Sequence, residues 1–557
     1  MLNRNNSIIS FIGKITLAAI AAMMSEMALA GGFVKSDDGA VGSLSGRTIA
    51  LWQSHGQYFD QNEDRWQWQR ARLLGTVEDL YTQSYVLPLL TPMLENAGAY
   101  VMIPRERDMS TYELIIDRDG GYATGHYSEH NGRHHWTDTP SPGFGYQKTT
   151  LEDGDNPFTD GGARIVKSAT DPAHASIAAW TADIPESGEY AVYISYQSLP
   201  ESSRAVRYTV SSMRGEEHFT VDQRKGGGTW IYLGTFPLKK GRQDHPVVTV
   251  SNLSSDAATV VTADAVKIGG GMGNVARRKP GGEYQTSGKP RFTEAARYWL
   301  QWAGVPDSVY SSTEGENDYN DDFRCRGLWV NYLLGGSERL PDQAGLNIPV
   351  DMALAFHSDA GLLGGDSIVG TMGIYCTERG GRFADGRPRS MSRTLTDSVV
   401  TSIVRDIRAL HEPQWTRRKM RDRSYAEARM PQVPTVLIEL LSHQNPADMA
   451  YGLDPQFRFD VSRAVYKGIL RYFSSRTGRK YTVQPLPVRA FAINRGTQAG
   501  EFILTWQPTP DPLEPTALPA SYRIEERIDD GAFRMIATSQ SPTAVVNIDD
   551  NRIHSYR

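Results

Sequence analysis

Cysteine is nearly missing from this chain: its 557 residues contain two, Cys325 and Cys376. Neither stands at metal-site spacing, which excludes a cysteine-ligated centre. The pair has two readings. One is a bridge, which in the chain-entropy model would contribute about 4 kcal/mol; the other is two buried free thiols. An excess of basic residues is also missing. Lys and Arg total 59 against 64 Asp and Glu, a formal charge of −5. No basic nucleic-acid surface follows from that balance. Beyond residue 30 no apolar run approaches the ~20 residues a membrane span needs. A helical HExxH zinc motif is absent as well, because His411-Glu412 is followed by Pro413 with no second histidine.

What is present begins with an export signal. Arg4 and Lys14 precede the apolar run Ile15 to Ala22, and Ala28-Leu29-Ala30 forms an A-x-A cleavage pattern before Gly31. Residues 1–30 are therefore read as a signal peptide, against the alternative of a membrane anchor. No cysteine follows the cleavage point, so a lipid anchor is not expected. The mature chain is placed in the periplasm or at the cell surface.

At this length several cores are expected. Residues 46–110 read as α/β, with a strand ending near Trp52, a helix over Val77–Ala97 broken by Pro88 and Pro92, and a strand at Ala99–Ile103. Tyr112 to Thr150 reads as a long surface loop. Short alternating runs at Tyr190–Tyr196, Ala205–Val210 and Val247–Ser251 indicate a β-sandwich. A Gly-rich linker runs from Gly269 to Gly282, and helical spacing resumes in Thr396–Leu410 and Val461–Phe473. The fold expected is α/β, a mixed sheet flanked by helices, built discontinuously from 46–150 and 283–475. An all-β jelly-roll or sandwich insert fills 151–270, and a partial β-sandwich occupies 486–557.

Three apolar strands run into metal- or proton-handling residues. Thr48–Trp52 leads to His55-Gly56, Met352–Phe356 to His357-Ser358-Asp359, and Thr435–Ile438 to Glu439. In α/β sheets, sites form beyond the carboxyl ends of strands. Two imidazoles with carboxylates make the ligand set of a hydrolytic zinc centre. Glu439 stands in an apolar run, where a carboxylate is costly unless paired or beside a metal.

In this setting, residues 46–110 and 290–475 resemble the zinc-dependent N-acetylmuramoyl-L-alanine amidases of the amidase-3 type. The matching features, in order, are His55-Gly56, Glu78, Arg107-Asp108, Arg326 through Val330-Asn331, His357-Ser358-Asp359-Ala360, and Glu439 followed by Ser442 and Asn445. The chain departs where Gln53-Ser54 replace the family's Asp-Pro-Gly before the first histidine. The resemblance implies that His55, Glu78 and His357 ligate Zn²⁺ and that Glu439 is the general base. Arg107, Arg326 and Asn331 are the implied substrate-side positions, with Arg326 or Arg107 either organising the sheet end or meeting a substrate carboxylate. The implied substrate is peptidoglycan or a related cell-wall glycan, cut between the muramoyl group and L-alanine. Two other functions remain open: a glycan-binding protein with a vestigial metal site, and a zinc peptidase or deacetylase acting on another polymer.

The insert resembles the golvesin C-terminal-like module through Gly188–Tyr193, Phe219–Gln223, Thr229–Gly234 and Ala263–Val266. Trp230 is either a sugar-stacking platform or a core residue. Phe502–Trp506 and Ala520–Glu525 resemble strands of a fibronectin type III module, whose sixth strand would begin at His554. His126, His130, His134 and His135 form a rival metal cluster, read instead as an exposed loop near the cleft.

Overall fold

The computed structural model describes residues 32–37, 41–120, 125–243, 245–256, 258–361 and 367–557. The signal peptide expected over 1–30 lies outside them.

The central sheet has six strands, β1 (Thr48–Gln53), β2 (Tyr100–Met102), β3 (Met352–Asp359), β4 (Met372–Tyr375), β5 (Arg421–Asp422) and β6 (Thr435–Ser442). Their spatial order is β5-β4-β6-β3-β1-β2. The four strands β6, β3, β1 and β2 run parallel, while β4 opposes β6, so the sheet is mixed. Flanking it are α1 (Glu78–Tyr85), α2 (Asp318–Leu334), α3 (Ser390–Leu410), the short α4 (Ala426–Arg429) and α5 (Pro455–Thr477). Parallel strands covered on both faces read as unbroken apolar runs, and all six residues of β1 are buried. The period of two sorts them. Ile49 and Leu51 pack with Val399, Ile403 and Val465 of α3 and α5, whereas Ala50 and Trp52 face the core shared with α2 and the β-rich unit.

Pro88 and Pro92 interrupt the expected helix as their missing N–H groups require. α1 ends in a π-helical turn at Val86–Leu90, and Thr91–Asn96 begins a new helix with Pro92 in its first turn.

The expected loop from Tyr112 to Thr150 contains strands instead. Glu113–Ile116 pairs with Val266–Gly269, Gly125–His130 with Ile177–Ile184, and Thr137–Gly143 with Gly161–Lys167. Val34–Ser36 pairs with Gly215–Val221. The β-rich unit thus draws on strands from both sides of the expected boundary at residue 150. Polarity hid them: Gly125–His130 buries neither face fully, and Thr137–Gly143 holds two prolines. His126 and His130 are exposed on that strand, with His135 exposed beyond it, so the histidine tract lies partly on a sheet but gathers no ligand set. Trp230 is 6% exposed and packs on Phe144, Phe158 and Trp302, a core position.

The C-terminal strands form two three-stranded antiparallel sheets around Leu504, Trp506, Ile524, Val546 and Tyr556. His554–Tyr556 is the sixth strand and pairs with Tyr522–Ile528. Asp511 and Glu514 reach Arg463 and Arg471 of α5. Cys325 and Cys376 are both free and buried, which decides between their two readings.

Candidate metal centre

The carboxyl ends of β1, β3 and β6 lie side by side, and each carries its residue to one place. His55 follows β1, His357 lies in β3, and Glu439 of β6 is the register partner of His357. Glu78 opens α1, where a carboxylate is favoured by the helix dipole. Ligand atoms of His55, Glu78 and His357 all lie within 4.8 Å of one another, and all three residues are buried. The two rings are 4.9 Å apart and tilted by 70°. Nδ1 of His357 is 3.3 Å from Glu78 Oε1, and Nδ1 of His55 is 3.6 Å from Glu78 Oε2. The backbone N–H of Ser358 donates to Glu78 Oε1 at 3.1 Å, fixing that carboxylate.

The backbone around His55 is held from behind. Arg105, fully buried, donates to the carbonyls of Gln53 (2.9 Å), His55, Glu294 (2.9 Å) and Phe292 (3.0 Å). Gly56 is needed for this approach: a Cβ there would lie 2.5 Å from the carbonyl of Glu294. The strand end carrying His55 is thereby tied to the segment that re-enters from the β-rich unit.

Burial and charge shape the acids and bases. Burial, with His357 adding, holds His55 well below its usual value. Burial also lowers His357, but the carboxylates of Glu427 and Glu78 outweigh it and lift the group to about 10. Glu439 is raised to about 8, first by burial and then by Glu78, Asp359 and Glu427 against the opposing pull of His357. Asp79, beside Glu78, is raised to about 7 by burial and by that neighbouring charge.

The donor set fits a divalent ion on the structure's own terms. Nδ1 of His55, Oε2 of Glu439 and both carboxylate oxygens of Asp79 are buried without a hydrogen-bond partner. Such orphaned groups are expensive unless something satisfies them. Two imidazoles and a carboxylate also match the ligands of hydrolytic zinc sites. No other cluster of this kind occurs among the described residues.

Of the three expected substrate-side residues, Arg326 lies behind the centre, and Arg107 and Asn331 lie away from it. Arg107 pairs with Glu95 at 2.9 Å and stacks 3.7 Å over Tyr232, at the seam with the β-rich unit. Asn331 clamps the chain entering β6, donating to the carbonyl of Met430 and accepting from the N–H of Gln432. Arg326 is completely buried and bonds Asp322 and Glu427. Each of the three side chains has protein partners.

Several neighbours escaped the sequence. Glu427 on α4 meets Nε2 of His357 at 3.2 Å. Arg70 reaches His55 Nε2 at 3.1 Å and Glu78 Oε2 at 3.4 Å. His443, just past β6, bonds Ser358 Oγ at 3.0 Å. The only available signal was for Arg105, which stands two residues before Arg107 at the end of a strand.

Residues 159–270 match the Golvesin C-terminal domain. A xanthan lyase from Bacillus sp. (strain GL1) is 34% identical over 88 residues, which is 16% of this chain and 9% of that protein. Among solved structures, the N-acetylmuramoyl-L-alanine amidase from Clostridium difficile 630 is similar over 23% of this chain and 60% of its own, at 16% identity and TM-score 0.19. The catalytic domain of an N-acetylmuramoyl-L-alanine amidase from Bacillus (Paenibacillus) polymyxa var. colistinus is similar over 27% of this chain and 80% of its own, at 19% identity and TM-score 0.18. A Paenibacillus xanthan lyase is similar over 28% of this chain and 13% of its own, at 20% identity and TM-score 0.21. The chain spans a small fraction of the xanthan lyases and just over half of the first of these amidases.

Proposed function

We propose that this chain is an exported zinc-dependent amidase that cuts the bond between N-acetylmuramoyl and L-alanine in peptidoglycan. One observation carries the reading: the ligand atoms of His55, Glu78 and His357 lie within 4.8 Å of one another, with Glu439 next to His357 across the strand pair. His55, Glu78 and His357 would hold the ion. When bound, zinc lowers the pKa of water toward ~7 and polarises the scissile carbonyl.

The chain's own groups supply the rest. Glu439 takes the proton of the attacking water and passes it to the leaving amine. Its side chain is partly accessible while Oε2 is enclosed, so it faces the reaction without full solvation. The β-rich unit and the partial fibronectin type III-like segment over 486–557 are assigned as accessory modules on the same exported chain.

Digestion of purified sacculi followed by mass spectrometry of the fragments tests the reaction. An amidase leaves intact muramic acid and a new alanine amine, and Glu439→Ala abolishes both products. Release of acetate or cleavage within the peptide would instead identify a deacetylase or peptidase.

A further inference from the structure

We propose that Glu427 is a positioning residue that fixes the His357 ring with its Nε2–H turned inward and its Nδ1 directed at Glu78. This rests on the metal-centre reading above and assigns the group that orients one of its ligands.

The argument is one of donors and acceptors. Glu427 Oε1 receives Nε1–H of Trp52 at 2.6 Å and an Nη1–H of Arg326 at 2.9 Å. Indole and guanidinium only donate. Two obligatory donors therefore define this carboxylate as an acceptor. His357 Nε2 lies 3.2 Å from both Glu427 oxygens. The imidazole can meet that acceptor only as Nε2–H. In the neutral ring Nδ1 then carries the lone pair, and Nδ1 is the atom 3.3 Å from Glu78.

Charge makes the same point. Arg326 already has Asp322 as a partner one helical turn away on α2, and both are fully buried. A structural ion pair needs no second carboxylate there. With Glu427 added, two buried anions face one guanidinium, and the surplus negative charge lies against His357. Such a charge is costly to bury unless further hydrogen-bond donors share it, and the Nε2–H of His357 is a donor of that kind. Carboxylate–histidine pairs of this kind behind metal ligands raise ligand basicity and set ring orientation.

The same carboxylate also links the two histidine-bearing strands. Trp52 belongs to β1, three residues before His55, while His357 belongs to β3. One side chain from a four-residue helix therefore fixes the spacing of both.

The test uses the full-length protein with zinc as the only added probe. Nitrogen-15 spectra of the histidines should show His357 Nε2 protonated and slow to exchange, with zinc and without it. A Nε2 with no proton overturns the proposal, whether or not zinc binds. In folded Glu427→Gln, chelator competition should show zinc affinity reduced about 10–100-fold, with loss of the slowly exchanging Nε2–H. Unchanged affinity together with an unchanged Nε2–H would equally overturn it. If the variant does not fold, the wild-type spectrum alone decides. Failure of wild-type protein to bind zinc would refute the proposed function but leave the Nε2–H result to decide this inference separately.

Discussion

His357 and Glu439 are register partners on adjacent parallel strands, and the pairing slips by one residue immediately beyond them. The slip places Asp359 opposite Ser442, so β6 carries one extra residue there, a β-bulge at the sheet end. Pairing is regular through His357 and Glu439 and breaks only past the site, so both side chains are set by sheet geometry rather than by a loop. If Glu439 handles the proton and does not hold the ion, Glu439→Gln should lower amide hydrolysis by about 10²–10⁴-fold while zinc content stays unchanged. Parallel turnover and metal assays on one preparation check this.

Arg105 supplies the donors that hold the strand end before His55. Arg105→Met leaves buried carbonyls without that donor, at an expected cost on the order of 3 kcal/mol in stability. Denaturant unfolding measures the loss. Zinc affinity should fall with it, because the position of His55 relative to Glu78 depends on the same contacts.

Asp264 of the β-rich unit offers a pH signature remote from the metal centre. Burial raises its pKa to about 7, against hydrogen bonds from the Phe144 N–H and Ser195 Oγ that favour the anion. The usual Asp value is 3.8. Between those values the folded protein keeps a proton that the unfolded chain has lost, so this group's contribution to stability falls as pH rises through the window. Asp264→Asn removes the titration. Relative to wild type, the variant should therefore melt at a higher temperature at pH 8 than the same comparison gives at pH 4. An equal difference at both pH values would count against a buried, proton-retaining Asp264.

Two free thiols predict that the unfolded protein takes up two alkylating groups without prior reduction. Intact-mass measurement shows this directly. Reductant should leave the melting temperature unchanged.

Much of the site could be read from strand endings. Unbroken apolar runs such as Met352–Phe356 announced strands buried on both faces, and His55, His357 and Glu439 stand within three residues of the ends of those runs. Glu78 was different. It stands on a helix, and only its order after His55 within a family pattern singled it out. Glu427 could not be read at all, because α4 is too short for periodicity and its partner His357 lies 70 residues away. Two arginines flank Glu106, and the one that bonds the carbonyls of Gln53 and His55 is Arg105, which no local signal distinguished from Arg107. The strands between Glu113 and Gly143 were obscured because their pairing partners lie in the insert, and pairing can override weak local β character.

The central claim is that His55, Glu78 and His357 share one ion. Metal analysis of purified wild-type protein alongside His55→Ala and His357→Ala tests it most directly. The expected result is one zinc per chain in the wild type and loss of it in both folded variants. A wild-type protein without zinc, or variants that retain it, would contradict the account.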